Sequence, residues 1–185
     1  YHLHLMLKFA SSPRIPISLS AKASILRHAW NAIRTSNNFK KLSSLKTTHG
    51  IDFGVVNTTI EDFVIAANEF ENKLRSLEES QSVCFVYNDI LTRLSKHFLA
   101  NTIFAVPRHE FILGLDCSEK SPRSYFPAIR ELLQEMTAFS GNPPEDYVST
   151  LKVELSLVAT IFTSATNLLR GGLYGSLDAL DTHVC

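Results

Sequence analysis

The sequence predicts a mainly α fold, and three observations carry that prediction. Five segments repeat apolar residues at helical spacing. Capping and stop residues fall at the ends of those segments. Within the span of those helices, just two short runs, 102–106 and 110–115, read as β, separated by Pro107-Arg108-His109.

The first helix is expected over about 20–36. Ile25, Leu26, Ala29, Trp30 and Ile33 share one face, and Ser18 or Ser20 can cap the start. The stretch 37–56 is polar and basic, with Lys40, Lys41, Lys46 and His49, and closes on Gly50-Ile51-Asp52-Phe53-Gly54. It reads as a long connection ending in an ordered turn. The second helix, about 58–79, opens on the capping box Thr58-x-x-Glu61. Its stripe is Ile60, Phe63, Val64, Ala67, Phe70, Leu74 and Leu77, opposite Glu61, Asp62, Glu69, Lys73 and Glu78.

The third helix, about 86–100, turns Tyr87, Ile90, Leu91, Leu94 and Phe98 inward. The fourth, about 125–139, has Phe126, Ile129, Leu132, Leu133, Met136 and Phe139 on its stripe. Pro127 falls in its first turn, where a missing N–H does no harm. Gly141 and Pro143-Pro144 stop it. The last helix, about 146–170, has Glu145 and Asp146 at its positive end and Arg170 at its negative end. From Leu155 to Leu169 it carries no charge on any face, so it is expected to be buried on several sides, partly by neighbouring subunits. That uncharged run is itself too short to span a bilayer, and no membrane partner is expected.

The 185 residues balance 18 basic against 18 acidic side chains. Charged residues make up 19%, below the roughly 25% of an average soluble protein, while hydrophobic residues reach 45%. This excludes intrinsic disorder and argues against a solitary nucleic-acid binder with a broad basic face. The length suits one domain: an arm at 1–19, a helical core at 20–172 and a tail at 173–185. Cys84, Cys117 and Cys185 are far apart and odd in number, which fits a reducing compartment better than a disulfide framework or a zinc knuckle. The period-two run Leu3, Leu5, Leu7, Phe9 reads as a short strand and not a targeting helix.

No nucleophile elbow, phosphate loop, dinucleotide fingerprint or zinc-protease motif is present, so no enzyme activity, metal or cofactor is expected. Asp89, Ser95 and His97 are near in sequence but face different ways on a helix. Glu131 and Glu135 form one solvated face. His2 and His4 are a lone pair near a terminus. Lys40, Lys41, Lys46 and Lys152 are candidate phosphate contacts, or else a solvated loop and a rim lysine.

Several short motifs then fall in a familiar order. Ala29-Trp30-Asn31 lies in the first helix, and Gly50-Ile51-Asp52-Phe53 precedes the second. Glu110-Phe111 lies in the β-like patch, and Thr137-Ala138-Phe139 ends the fourth helix. The last helix ends Leu168-Leu169-Arg170-Gly171-Gly172-Leu173-Tyr174-Gly175-Ser176-Leu177-Asp178. This order, over most of 20–178, resembles the coat proteins of rod-shaped plant RNA viruses of the tobamovirus, hordeivirus and tobravirus type.

The resemblance implies a four-helix bundle lying radially in a helical rod, here with one extra helix at 86–100 and a small β patch. Both chain ends would lie at the outer radius. The 37–57 connection and the 140–147 loop would lie near single-stranded RNA at the inner radius. It also implies a virion location, with assembly in the host cytoplasm. The arginines of the tobamovirus branch are absent: Ser140 to Pro144 and Tyr147 to Thr150 hold none. The positions of that branch's acid–arginine pair read Ser140 and Val158, so both partners are missing together. RNA contacts would have to come from Lys152, Arg130, Lys40, Lys41 and Lys46. Glu145 and Asp146 would be carboxylates that repel their copies in adjacent subunits, so that raising pH loosens the assembly. A neutral subunit suits such a polymer, because each copy needs only a few phosphate contacts and a non-closing head-to-tail contact gives a filament. A cellular α-helical adaptor or scaffold subunit without RNA explains the low charge and the uncharged last helix equally well. A small enzyme or ligand-binding bundle is the third reading.

Overall fold

The computed structural model describes residues 14–15, 17–42, 48–77, 81–98, 113–114, 124–139 and 141–171. The chain is mainly α. Helix α1 is Leu19–Thr35, and Ser18 caps it by accepting from the Ala21 amide at 3.2 Å. Its inward face is Leu19, Ala23, Leu26, Trp30 and Ile33. Ile25, expected on that face, points outward and is 50% exposed, because it lies about a third of a turn off the line through Leu26 and Trp30. Ser36 ends α1 and caps a short helix α2, Asn37–Lys41, accepting from the Phe39 amide at 3.2 Å.

Helix α3, Phe53–Ser76, starts five residues before the expected capping box. Asp52 caps it instead, its carboxylate accepting from the Gly54 amide at 2.9 Å. The Thr58 hydroxyl donates to the Gly54 carbonyl at 3.1 Å, inside the helix. Buried Val56 extends the stripe one turn back, and that burial favours the earlier start. Helix α4, Gln81–His97, also begins early, with Val83 and Cys84 buried ahead of the expected Tyr87, Ile90, Leu91 and Leu94. Leu113–Gly114 (β1) pairs antiparallel with Ser124–Tyr125 (β2). The expected run 102–106 lies outside the described residues, as do Lys46, the 1–13 arm and the 172–185 tail.

Helix α5, Pro127–Met136, has Pro127 in its first turn and Phe126 just before it in the left-handed region, at φ 55°. A non-glycine residue is strained there. Phe126 is held by burial between Trp30 (5.6 Å) and Phe162 (6.3 Å). Phe139, expected inward, is 41% exposed and rests against Tyr147 at 5.4 Å. The helix has ended by then, so the helical phase no longer fixes its direction.

Helix α6, Glu145–Gly171, has 27 residues and buries Val148, Leu151, Leu155, Val158, Phe162, Ala165 and Leu169. By length and composition it could cross a membrane. In the fold its apolar face is core, and between the exposed Lys152 and Arg170 its other face is polar but uncharged, with Ser156, Thr160, Thr163 and Asn167 exposed. Within the single chain the helix is therefore buried on one side, and burial of the other side would have to come from outside the chain.

α3 lies centrally, packing most extensively on α6 and next on α1. α1 and α3 are antiparallel: Ser18 and Ser20 meet Glu71, Arg27 meets Glu61 at 3.6 Å, and Arg34 meets Asn57 at 2.6 Å. α3 and α6 run parallel, since 50–56 faces 152–159 and 59–62 faces 163–170. α5 is antiparallel to α6, with Phe126 beside Phe162 and Phe139 beside Tyr147. Phe63, Phe98, Phe126 and Phe162 join α3, α5, α6 and the end of α4 at ring separations of 5.4–6.3 Å.

Candidate nucleic-acid interface

The helix directions bring two connections to one end of the molecule. The chain between α1 and α3 and the chain between α5 and α6 both turn there. Phe39 of α2 packs edge-on against Phe53 at 4.7 Å, which ties the exposed Lys40 and Lys41 to the start of α3. Gly50, at φ 65°, makes the turn into the Asp52 cap; a residue with a Cβ would be strained there. Next to it, His49 Nδ1 lies 3.4 Å from Glu145 Oε2, joining the first connection to the first turn of α6.

Between that turn and α6 lies an open cleft of about 300 Å³. Its walls are apolar at Ile51, Val55, Leu155 and Ala159, with Asp52 and Lys152 as its charged groups. Lys152 is exposed, so its ammonium stays hydrated at the end of a flexible stem. The cleft therefore sets an exposed cation and a carboxylate beside an apolar wall.

Of the expected site residues, Lys152, Glu145, Lys40 and Lys41 gather at this end. Asp146 lies exposed in the first turn of α6. Glu145, expected to face its copies, already has an intramolecular partner in His49. Arg130 is not brought there. Its Nε donates to the Tyr125 carbonyl at 2.9 Å, and neighbouring Phe126 sits at Phe162, about 15 Å along α6 from Lys152. Arg130 braces the turn into α5. Asp89 pairs with Arg93 at 2.9 Å, Ser95 donates to the Leu91 carbonyl at 2.9 Å, and His97 meets Ser164 at 3.2 Å, so these three do not converge. Among the described residues no group of three or more His, Cys, Asp or Glu could hold a metal.

The sequence reading missed Glu71, a carboxylate only 5% exposed at the opposite end. It accepts from the Leu19 amide, the Ser20 amide (3.2 Å), the Ser20 hydroxyl (2.6 Å) and the Ser18 hydroxyl (3.4 Å). Burial pushes its pKa up, but these bonds outweigh burial and hold it below the ordinary value. The signal was available: Glu71 falls four residues after Ala67 and three before Leu74, on the apolar stripe itself. Beside it, the Tyr87 hydroxyl donates to the Ile17 carbonyl, and Asn88 Oδ1 accepts from the Ile15 amide at 3.0 Å. Arg14 lies 4.3 Å over the Tyr87 ring. Burial raises the Tyr87 pKa, against the opposing pull of Arg14.

Compared with protein-family models and with curated protein sequences, the chain matches none.

Proposed function

We propose that this chain is a structural coat subunit that polymerises into a helical rod around single-stranded RNA. In this reading α1, α3, α5 and α6 are a four-helix bundle and α4 is an added helix. The observation that carries it is the convergence of both interhelical connections at one end, together with Lys40, Lys41, Lys152 and the half-apolar cleft. That end is the inner radius. Each copy contributes a few lysine–phosphate contacts and a cleft wall for a base, and repetition along the strand multiplies them. The neutral subunit allows copies to pack side by side without strong repulsion.

Negative-stain microscopy of the purified chain with single-stranded RNA tests this directly. Rods that protect RNA from nuclease are expected. Discrete particles of fixed size that leave RNA open to nuclease would reject the reading in favour of a cellular scaffold subunit.

A further inference from the structure

Two helices present exposed faces with the same unusual pattern. On α6, Ser149, Val153, Ser156, Thr160, Thr163 and Asn167 are all exposed at spacings of four and three. None is charged, and the line is bounded by Asp146 at one end and Arg170 at the other. On α1, Ala21, Ile25, His28, Ala32 and Thr35 repeat the same spacing, are all exposed and hold no carboxylate, lysine or arginine. The charges of α1 are turned aside: Lys22 lies over the Phe98 ring, Arg27 meets Glu61, and Arg34 meets Asn57.

Spacings of four and three place each set in one straight ridge, the geometry by which one helix packs along another. The ridges match in length, about 21 Å on α1 and about 27 Å on α6 at 1.5 Å per residue. Both carry large apolar groups in water, Ile25 at 50% and Val153 at 43% exposure. Four of their seven polar side chains bond within their own helices. Ser156 donates to the Lys152 carbonyl at 2.9 Å, Thr160 to the Ser156 carbonyl at 2.8 Å, and Thr35 to the Asn31 carbonyl at 3.0 Å, while His28 Nδ1 lies 2.7 Å from the Ser24 carbonyl. Such a face can be dehydrated without stranding those groups.

An independent feature marks the α6 ridge as incomplete. Beside it, Thr163, Asn167 and Arg170 share a polar cleft of about 70 Å³ with Thr59 and Asp62 of α3. Thr166 lines that cleft, is 4% exposed, and its hydroxyl has no hydrogen-bond partner among the described residues. A polar side-chain tip from a docked surface would complete it.

We propose that the α6 ridge of one copy packs along the α1 ridge of the next. The occupant is a second copy because the same chain carries both faces, equal in spacing, comparable in length and uncharged along their crests; Lys152 and Arg170 flank the α6 crest on exposed, flexible stems whose charged tips can stay in water. α1 and α6 each pack extensively on α3 and not on one another, so the ridges are two different surfaces, and a head-to-tail contact between them leaves one free ridge of each kind on every pair. This specifies the lateral contact of the polymer proposed above and rests on that reading for its repetition, but not on RNA.

The test uses Ala32→Glu, which spoils one ridge, and Thr160→Glu, which spoils the other, with self-association followed by sedimentation in the absence of RNA. Each variant alone is expected to associate at least about tenfold more weakly than the parent chain, the effect of one uncompensated charge in a neutral contact. Mixed in equal amounts, the two are expected to form a 1:1 complex that grows no further, because each still offers the ridge the other lacks. Circular dichroism checks folding, and Ala21→Glu with Thr163→Glu repeats the test if either first variant fails to fold. Unchanged association of a single variant, no complex on mixing, or a parent chain that stays monomeric would each overturn the proposal. Association that follows the expected pattern in a chain that protects no RNA would overturn the RNA reading alone.

Discussion

At the end of the molecule where α1 begins, one buried carboxylate takes four hydrogen bonds, and Tyr87 and Asn88 hold the residues just before the helix. At the end where α6 begins, Glu145 stands 68% in water and meets His49 at 3.4 Å beside an open cleft. The first end is closed by interactions that need every partner in place. The second is held by caps and ring contacts that leave Lys40, Lys41 and Lys152 exposed. Fixing the chain at one end leaves the other open, and the two ends should answer mutation in opposite ways.

The largest effect is expected at the closed end. Glu71→Ala strands the Leu19 and Ser20 amides in a buried place and should lower stability by about 3 kcal/mol, measured from the urea midpoint. A loss below about 0.5 kcal/mol would mean that the clamp does not matter. The pH dependence has a definite sign. The Glu71 carboxyl titrates lower in the folded state than its ordinary value of 4.5. Its contribution is therefore fully present above that value and is lost as pH falls through the folded value. Glu71→Gln should be less stable near neutrality and should show a flatter loss of stability in acid. Tyr87→Phe removes the bond to the Ile17 carbonyl and the hydroxyl's contact with Arg14, and should lower stability by about 1 kcal/mol. Hydrogen exchange at the Ile17–Ser20 amides should quicken in the same variant, which local loosening explains and a global loss alone does not.

These two ends also differ in how much of them the sequence discloses. The helices were legible because their stripes are long: Phe63, Phe70, Leu94, Leu133 and Met136 lie where periodicity puts them. The boundaries were less so. Thr58-x-x-Glu61 has the form of a capping box, but Val56 is buried one turn earlier and Asp52 offers a competing cap. Local pattern cannot weigh a cap against burial supplied by another helix. Glu71 was overlooked because a carboxylate on an apolar stripe makes sense only when Ser18 and Ser20, some fifty residues away, are placed on it. At the open end, Lys152 was picked out as an isolated cation. Its proximity to residues 50–56 depends on α3 and α6 running parallel, which no spacing within either helix encodes.

At that open end, stability should respond little. Glu145→Gln removes one side of a pair whose carboxylate is mostly solvated, and it should change stability by less than about 1 kcal/mol. A larger loss would show that the His49 contact fixes the 48–52 turn, and would erase the contrast between the ends.

Lys152→Glu sharpens the contrast furthest, because it should separate stability from function altogether. The side chain is exposed, so unfolding should stay within about 0.5 kcal/mol of the parent. RNA binding should weaken, and for Lys152→Ala the slope of log affinity against log salt should fall by about 0.7, the share of one phosphate contact on a single strand. Lys96→Glu, an equal charge change on the exposed face of α4, is the control. If both substitutions to Glu weaken RNA binding alike, the chain responds to net charge and the cleft beside Lys152 is not the contact. If Lys152→Glu alone weakens it, a specific cation at the junction of residues 50–56 and α6 is read by the RNA, as the free ammonium at the open end implies.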